Sequence, residues 1–550
     1  MSIACEKRGA WLAALGGGLW CASYMWPMLN PFSLQIVLQE DWAQHALGFL
    51  FFRNEPLRFP LGAIQGFLYP LGTTLGYMDS IPLVGLLLRP FDALLPGDFQ
   101  YLGLWILACS TGLGFVAARV AALATPHWEQ QALAGLLLTA APCLLMRLIH
   151  PALCAHVLIV AALWLCLTPS RRSSIAAFVL LAISAATHPY LAVMVLALLF
   201  ALPWGYRAQL GLRLALGLTV GQVALVAALL FAFGYADPGL NLAARGFGEY
   251  SANLNTFFNS MGLSRLLPAL PQGPSQYEGY AYLGAGWFLL LLAALILLAL
   301  PHTRRDVASS DWRVAKWPLT AAVCMALFAF ASPVQWGKHE LFRVPVYDQI
   351  SGLAQVFRAS GRFIWPLLYL IELGVALCVL RGLRQHRLLA NCLLLAALGI
   401  QLYDIEAARA QNLFTRAGTR IFSAPEWNLA YEGFEHLVLY PAEIQSTCNT
   451  KQPYRSDLVN GLAYLAYRFR WTFNSGYAAR YAKQTPAYCA ELERQVAQGK
   501  LDARTVYVVQ RWNVRDMKAA GATCGRLERL TVCTANAQNP LARYLAANPP

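Results

Sequence analysis

Charged residues are scarce in this sequence: 13% of the 550 residues are charged, whereas 58% are hydrophobic. Long apolar runs recur down to about residue 403, and together with the low charge they exclude an ordinary soluble protein. Acidic residues are fewer than basic ones, 28 against 42, which leaves a net charge of +14. Most basic residues outside the C-terminal part lie in short loops between apolar runs. The charge therefore indicates membrane topology and contact with anionic lipid, and it does not indicate nucleic-acid binding.

Several motifs that carry chemistry are missing as well. The sequence shows no ATP-binding motif, and its polar C-terminal part has no phosphate loop, metal-ligand spacing or nucleophile elbow. It also lacks the internal repeat that many transporters show. Any reaction would therefore have to draw its energy from the substrate itself.

Cysteine is sparse but unevenly placed. Nine of the 13 cysteines lie at Cys392 or earlier, mostly in apolar runs, where they are typical of buried small hydrophobic residues. The other four are Cys448, Cys489, Cys524 and Cys533. An even number in one polar domain predicts two disulfides and an oxidising compartment, and free thiols in a cytosolic domain are the alternative. Three pairings are allowed; we predict Cys524–Cys533, whose short separation suits a hairpin, together with Cys448–Cys489.

The apolar runs predict an all-α polytopic membrane domain over residues 1–403. We expect about eleven transmembrane helices, at 10–28, 100–122, 131–149, 152–168, 174–187, 190–204, 211–234, 281–300, 316–333, 363–381 and 388–403. The first would be a retained signal anchor. Residues 29–99 would form a first external loop with interfacial helices. With these spans, the basic residues of the short loops concentrate on the side of the membrane where the N-terminus lies. Because basic residues favour the cytoplasmic side, the N-terminus is expected inside and the C-terminus outside.

The composition changes from residue 404 to residue 550. FEHLVLY, ARTVYVVQ and LERLTVC are β-type runs, and 455–482 and 486–499 are typical of helices. We therefore predict a C-terminal α/β domain on the outer face, which is the periplasm of a bacterium.

The stretch directly after the first apolar run, QEDWAQHALGFLFFRNEPLRFP at 39–60, carries the clearest candidate site. Glu40 and Asp41 open it at the expected membrane surface, and on a helix Asp41 and His45 share one face. Asp79 closes the same loop. A carboxylate at this depth is costly unless it has a partner or a task. Asp41 is therefore either a helix N-terminal acid near the macrodipole or a catalytic or ligand-holding carboxylate that faces a cavity.

A set of histidines, His150, His156 and His188, is assigned to the outer side. His150 and His188 each precede a proline at an expected helix end. Each histidine either bonds to a free helix carbonyl or, as part of the set, lines a site at one membrane level.

A long outer loop gathers amides, aromatic rings and carboxylates in ARGFGEYSANLNTFF and PQGPSQYEGYAYLGAG. Such a mixture suits a sugar, whose hydroxyls need polar partners and whose apolar face stacks on rings. The alternative is a turn-rich loop with capping asparagines. Its polar candidates are Arg245, Glu249, Tyr250, Asn253, Gln276, Tyr277 and Glu278.

Loops on the inner side of a membrane usually carry the excess of basic residues, yet several basic residues are assigned to the outer side here. Arg358 and Arg362 stand four apart in FRASGRFIWP, and Lys338, His339 and Arg343 precede them. Arginines at this spacing bind phosphate through a bidentate fork. The alternative is snorkelling to lipid headgroups.

The motifs EDWAQHALGFLFFR, FPLG, DSIPL, HPAL, HPYL and FRASGRFIWP resemble a group of bacterial GT-C-like proteins of unassigned function. The layout of residues 1–403 resembles the GT-C class of integral-membrane glycosyltransferases. In that class an acid of the first external loop is the general base for the acceptor hydroxyl, and the matching residue is Asp41, paired with Glu40. Many members hold a divalent metal, for which no ligand set stands out here.

These observations predict an inverting glycosyltransferase of the bacterial inner membrane. It would move a sugar from a polyprenyl-phosphate donor to a glycan, lipid or protein acceptor at the periplasmic face. Asp41, Glu40 and His45 are the predicted catalytic residues, and Arg358, Arg362, Arg343 and Lys338 are predicted to bind the donor phosphate. The predicted sugar and acceptor contacts are Asp79, His150, His188, Glu249, Tyr250, Gln276 and Glu278.

One geometric expectation follows from this chemistry. Asp41 and the pair Arg358 and Arg362 should line one cavity, with a gap on the order of 8–15 Å that leaves room for a sugar. Two rival functions remain: a transporter or flippase of a lipid-linked glycan, and a non-catalytic assembly protein of the cell envelope.

Overall fold

The protein is described by a computed structural model over residues 3–205, 207–242, 246–301, 312–410, 419, 421–444, 447–448 and 453–550. Contacts divide the chain into two compact units. The first, here called the helical unit, comprises Met1–Asn30, Tyr101–Leu230 and Leu242–Thr415. The second, the sheet unit, comprises Pro31–Gln100, Phe231–Asn241 and Arg416–Pro550. The segment expected to be the first external loop is therefore grouped with the C-terminal part of the chain.

The described residues contain nine strands. They are β1 (Ala63–Ile64), β2 (Thr73–Thr74), β3 (Val334–Trp336), β4 (His339–Phe342), β5 (His436–Tyr440), β6 (Thr472–Phe473), β7 (Thr505–Val509), β8 (Thr523–Leu527) and β9 (Leu530–Thr534). The three segments that the sequence predicted as strands form β5, β7 and β9.

The helical unit is built from helices of very different lengths. They are Ile3–Met25, Leu102–Ala121, Trp128–Thr139, Pro142–Arg147, Val157–Leu167, Arg171–Thr187, Pro189–Gly205, Arg207–Leu210, Leu212–Ala232, Ala285–Ala299, Trp312–Phe330, Val346–Gln349, Ser351–Ala354, Trp365–Gly382, Arg387–Asp404 and Glu406–Ala410. The helix Leu212–Ala232 ends in the sheet unit.

Within the described ranges, four helices are long and apolar enough to cross a membrane. They are Leu102–Ala121, Leu212–Ala232, Ser360–Gly382 and Arg387–Arg409. The prediction of about eleven transmembrane helices is therefore wrong. A bilayer core needs about 20 apolar residues, whereas the helix Val157–Leu167, where a span was expected, has 11. The expected span 131–149 is broken before Pro142, because a proline ring clashes with the preceding turn and ends the helix.

Small residues let the N-terminal helices approach closely. Ile3–Met25 packs against Leu102–Ala121 and Trp128–Thr139. A Cβ atom on Gly114 would lie 2.4 Å from the carbonyl oxygen of Ala13, so a larger residue there would separate the helices. Contacts of this kind depend on small residues at the interface.

A buried carboxylate ties the long loop 246–284 to the helix Arg387–Asp404. Asp404 is fully buried and accepts hydrogen bonds from the Tyr282 hydroxyl at 2.9 Å and the Ala285 backbone N–H at 3.0 Å. One turn earlier, Gln401 accepts the Gly286 N–H at 3.0 Å. These bonds satisfy the start of the next helix and fix the loop that precedes it.

The sheet unit contains a five-stranded sheet in the order β6-β5-β7-β9-β8. β5 runs parallel to β6 and β7, whereas β9 is antiparallel to β7 and β8. Parallel neighbours need crossover connections, which the helices Ser456–Phe469 and Thr485–Ala497 supply. Its other helices are Leu34–Val37, Glu40–Arg53, Pro82–Leu88, Val514–Ala519 and Pro540–Ala547.

Two disulfides cross-link segments of the sheet unit. Cys524 on β8 lies directly opposite Cys533 on β9, and the two are bonded. Cys448 is bonded to Cys489 in the helix Thr485–Ala497. Both predicted pairings are confirmed.

We expect thiol alkylation under denaturing, non-reducing conditions to leave these four cysteines unmodified, because a disulfide sulfur does not react with the alkylating agent. The eight cysteines that the described residues hold as free thiols should all react. Mass spectrometry of the peptides gives the result, and a reduced sample, in which all four also react, is the control. Alkylation of all four without reductant would contradict the oxidised state and the compartment inferred from it.

Candidate functional site

Asp41 lies in the first turn of the helix Glu40–Arg53, which we name the Asp41 helix. Acidic residues at Glu40 and Asp41 and a basic residue at Arg53 suit the macrodipole at the two ends. The fully buried ring of His45 donates through Nδ1 to the Asp41 carbonyl oxygen at 2.8 Å. Asp41 and His45 therefore share one helix face, as the sequence predicted.

The turn at Asp79 packs against this helix. Gln44 Nε2 donates to the Tyr77 carbonyl at 3.0 Å and to Asp79 Oδ2 at 3.3 Å. Ser80 Oγ donates to the His45 carbonyl at 2.7 Å. The approach is so close that a Cβ atom on Gly48 would lie 2.2 Å from Ser80 Oγ. We name the residues Glu40, Asp41, Gln44, His45 and Asp79 the Asp41 corner.

The backbone of this corner is strained. Glu40 has a φ of +47°, Asp79 +53° and Ile81 +47°. Left-handed backbone is uncommon outside glycine and is an outlier for a β-branched residue such as Ile81. Strain of this kind costs free energy, persists only where the surrounding structure enforces it, and clusters at functional sites.

The far end of the Asp41 helix is held rigidly. Arg53 donates to Asp92 Oδ1 at 2.5 Å and to the carbonyls of Pro96 at 2.7 Å and Leu95 at 2.9 Å. Arg89 in turn donates to the Arg53 carbonyl at 2.6 Å and satisfies an otherwise free group at the helix end. The helix that positions Asp41 is thus fixed at both ends.

A second group of charges lies in the helical unit around Glu278. Arg147 Nη1 donates to Glu278 Oε2 at 2.5 Å. Arg362 binds both carboxylate oxygens, Nε to Oε2 at 2.9 Å and Nη2 to Oε1 at 2.8 Å. His150 Nε2 lies 3.9 Å from Oε1. We name Arg147, His150, Glu278 and Arg362 the Glu278 cluster.

These charges are almost completely removed from solvent. The side chains of Arg147, Glu278 and Arg362 are 1%, 6% and 11% exposed. Burial alone would raise the pKa of the Glu278 carboxyl, but the guanidinium groups of Arg362 and Arg147 outweigh it and hold the pKa well below its usual range. Glu278 is therefore a carboxylate at neutral pH, and the two arginines exceed it by one positive charge.

Aromatic rings surround the arginines. The Arg362 guanidinium carbon lies 4.8 Å from the Tyr190 ring centre, and the buried His188 ring lies 5.5 Å from the same ring. The Arg358 guanidinium carbon lies 5.5 Å from the Tyr250 ring centre. Within the described ranges no carboxylate forms an ion pair with Arg358. Of the two predicted phosphate ligands, Arg362 is thus bound to a carboxylate and Arg358 is not.

Four other predicted site residues lie in different surroundings. The Gln276 amide is buried and bonded to Asn253, Ser251 and Gln335, as in a loop held by its own side chains. Glu249 is exposed and accepts a hydrogen bond from Ser275 at 2.8 Å. Lys338 and Arg343 are exposed at the β3–β4 hairpin, where Arg343 pairs with Glu340 at 2.7 Å. Arg245 lies outside the described residues.

Sequence reasoning missed Arg147. It sits in LLMRLIHP, inside the segment predicted as the span 131–149, where an uninterrupted apolar helix was expected. An ionisable residue in such a segment is a functional candidate by itself. That signal was available for Arg147 itself, but it does not identify Glu278, which lies 131 residues away in the chain.

Glu372 was also missed. It lies on the helix Trp365–Gly382, which belongs to one of the four candidate spans, and it is fully buried. Both of its carboxylate oxygens lack a hydrogen-bond partner among the described residues. One turn earlier Tyr369 shares a 2.7 Å hydrogen bond with His156 Nδ1. The third predicted histidine is therefore part of a buried polar pair next to an unsatisfied carboxyl.

Asp41 and the two arginines lie in different units, so their common cavity stays a prediction. A metal site has no counterpart in the described part of the chain, because no three His, Cys, Asp or Glu side chains come close enough there to hold an ion. The site residues therefore fall into the Asp41 corner of the sheet unit and the Glu278 cluster of the helical unit.

Comparison with known protein families assigns the chain to a family. A model described as "Domain of unknown function (DUF6311)" matches residues 13–406. A second, described as "DUF6311 C-terminal domain", matches residues 426–535. No curated protein matches the chain. Because the first model covers more than half of the chain, this protein belongs to the DUF6311 family.

We expect Glu278→Gln to lower stability by about 3–5 kcal/mol, the usual cost of leaving a buried charge without its partner. Thermal unfolding of the detergent-solubilised protein measures the change. Glu340→Gln is the matched control, because it breaks an ion pair at the exposed β3–β4 hairpin and should leave Tm unchanged. Equal Tm values for the two variants would contradict the importance of the Glu278 cluster.

A comparison of wild type with Glu278→Gln at different pH values tests the lowered pKa of Glu278. A glutamate of the unfolded chain has a pKa of about 4.3, and the folded-state pKa of Glu278 lies below this. Its carboxylate therefore contributes stability above that pH, and the contribution is lost as the pH falls through the folded-state pKa. The Tm difference between wild type and Glu278→Gln should shrink over that acidic range. A difference that stays constant would refute the lowered pKa.

Proposed function

We propose that this member of the DUF6311 family transfers a sugar from a polyprenyl-phosphate donor to an acceptor hydroxyl. The Asp41 carboxylate takes the hydroxyl proton, and the acceptor oxygen forms a bond to the anomeric carbon. The bond from that carbon to the phosphate oxygen breaks, with inversion, and the polyprenyl phosphate leaves. A guanidinium stabilises the charge that grows on this leaving group.

The strained backbone of the Asp41 corner is the observation that carries the proposal. An ordinary helix N-terminal acid needs no left-handed residue beside it, whereas Glu40 and Asp79 are both left-handed where the turn meets the helix. The buried Nδ1 bond of His45 fixes that ring against the same turn of helix. Such preorganisation suits a group that must meet a reacting hydroxyl within hydrogen-bond distance.

The compartment is part of the proposal. Four helices that can cross a membrane support membrane association. The two disulfides of the sheet unit support an oxidising compartment, which for a bacterial inner-membrane protein is the periplasm. We therefore propose transfer at the periplasmic face, with the N-terminus in the cytoplasm. The acceptor would be a surface glycan, a lipid or a protein.

Arg358 is the better phosphate ligand of the two arginines. The Nε–Nη2 edge of Arg362 is already bound to Glu278, so a phosphate could take that edge only by displacing a buried carboxylate. Arg358 is half-buried against Tyr250 and keeps its fork available. Arg362 then positions the loop 246–284, and Arg358 binds the donor phosphate.

Transport of a lipid-linked glycan is the second candidate, and one observation favours it. Two of the four candidate spans carry a fully buried polar side chain whose terminal atoms lack a partner among the described residues, Gln222 and Glu372. Polar groups of this kind mark transport pathways in membrane proteins. Transport needs no general base, so it predicts that Asp41→Asn keeps its activity.

We expect Asp41→Asn to lower sugar transfer by about a hundredfold or more, the usual contribution of a general base. Asparagine keeps the shape of the side chain and removes its basicity. Mass spectrometry of surface glycans, from cells that carry each variant in place of the wild type, gives the readout.

Asp516→Asn is the control for this experiment, since Asp516 is an exposed acid of the sheet unit. It should leave the glycans unchanged at equal protein level. Normal glycans with a well-expressed Asp41→Asn protein would rule out transfer with Asp41 as base and favour transport.

We expect Arg358→Lys to raise the KM for the lipid-phosphate donor by about tenfold, because a lysine ammonium lacks the bidentate fork. A transfer assay in isolated membranes measures the donor KM and kcat separately. Arg543→Lys, at an exposed arginine of the sheet unit, should leave both unchanged. An unaltered donor KM in Arg358→Lys would remove Arg358 from the phosphate site.

A further inference from the structure

The sheet unit contains a cavity of about 530 Å³ at the carboxyl ends of its parallel strands. Leu439 of β5 and Val508 and Val509 of β7 form its floor, and the β8–β9 hairpin forms a wall. Open α/β sheets bind ligands in the crevice outside the carboxyl ends of their strands. The strand order favours this place, because β6 and β7 follow β5 in the chain and lie on opposite sides of it. We name this cavity the strand-end pocket.

Arginines give the strand-end pocket a positive lining. Arg455, Arg511, Arg526 and Arg529 all line it, and Glu528 is its one acidic lining residue among the described residues. Arg455 is neutralised by the buried Glu443 carboxylate. The other three arginines are exposed and form no ion pair within the described ranges. An anionic ligand would find bidentate donors here.

Two of the lining residues also carry buried acceptor atoms that no described residue satisfies. Gln510 is 5% exposed; its Nε2 donates to Glu443 at 3.3 Å, and its Oε1 has no partner among the described residues. Glu528 Oε1 accepts the N–H groups of Ser423 and Ala424, whereas its buried Oε2 has no partner there. Buried acceptors without donors are costly, and a ligand hydroxyl that reached them would supply the missing donor.

An aromatic platform completes the lining. Trp512 lines the pocket and is 63% exposed, which is unusual for so large an apolar ring. An indole face stacks on the apolar face of a sugar ring or on a base. A nucleotide fits less well, because the loops that follow β5 and β7, PAE and QRWN, lack the glycines that let a backbone cradle phosphates.

We propose that the strand-end pocket binds an acidic saccharide, a ring-bearing ligand with a carboxylate. The carboxylate is bound by Arg511 and Arg529, hydroxyl groups donate to Gln510 and Glu528, and a sugar ring stacks on Trp512. The disulfide Cys524–Cys533 holds the hairpin that carries Glu528 and Arg529. This binding site is separate from the proposed transfer reaction and does not use Asp41.

The test uses the full chain in detergent micelles and isothermal titration calorimetry. The probe is a hyaluronan tetrasaccharide, which alternates glucuronic acid with N-acetylglucosamine, and the neutral control is the tetrasaccharide of N-acetylglucosamine. We expect the acidic probe to bind at least about tenfold more tightly than the neutral one, as charge-assisted hydrogen bonds imply. The double variant Arg511→Gln/Arg529→Gln should lose about tenfold or more of this affinity.

Two further variants sharpen the result. Trp512→Ala should weaken the binding of the acidic probe, and Arg543→Gln, an exposed arginine away from the pocket, should leave it unchanged. Asp41→Asn should also bind normally, so a failed transfer assay and a failed pocket are distinguishable. Absence of binding in the wild type, equal binding of the neutral probe, or a double variant that binds like wild type would each overturn the proposal.

Two alternative ligands are tested in the same way. If uridine monophosphate binds more tightly than the acidic tetrasaccharide and the double variant abolishes this, the pocket is a nucleotide site and the proposal falls. If the double variant loses binding to phosphatidylglycerol vesicles but keeps saccharide affinity, the arginines serve the membrane surface, and the proposal also falls.

Discussion

The helical unit depends on the ion pairs that the buried Glu278 carboxylate forms. Two guanidinium groups bind it almost out of contact with water. Without the carboxylate, each buried arginine would lower the stability of the fold severely. Arg147 comes from a short helix that follows a proline break, and Arg362 comes from the turn before a long apolar helix. The ion pairs therefore hold three distant segments of sequence together, and the loop that carries Glu278 takes its position from them.

The same constraint separates two arginines that look alike in sequence. Arg358 and Arg362 stand four residues apart in one motif and invite one role. Their partners divide them, because among the described residues Arg362 is bound to a carboxylate, whereas Arg358 lies over the ring of Tyr250. An arginine whose Nε–Nη2 edge is bound to a buried carboxylate can position a loop, and that edge cannot also bind a substrate phosphate.

Sequence patterns predicted local structure well and the membrane topology badly. The helix 486–499, three strands and both disulfides follow from apolar periodicity and cysteine placement. The predicted helix 455–482 is right only for Ser456–Phe469, because β6 lies inside the rest of that range. The eleven-span topology is wrong, since apolar composition cannot tell a span from a short buried helix, and Pro142 breaks a run that reads as continuous. The partner of Glu278 was equally hidden, because Arg147 lies far away in the chain and only the fold brings the charges together. The left-handed residues Glu40 and Ile81 have no sequence signature, since neither is glycine or asparagine.

The buried carboxylates of this protein fall into two kinds, and the difference bears on function. Glu278, Asp404 and Glu443 each accept several hydrogen bonds or ion pairs from within their own unit, so their desolvation is offset and they hold loops in place. Glu372 is as deeply buried and has no such partner in the described part of the chain. Stability alone gives no reason to keep it, because an apolar residue of similar size would remove the cost. Among the described residues nothing offsets the burial of Glu372, so its cost in folding free energy has no structural compensation there, and an ionisable residue in an apolar helix is a candidate functional residue.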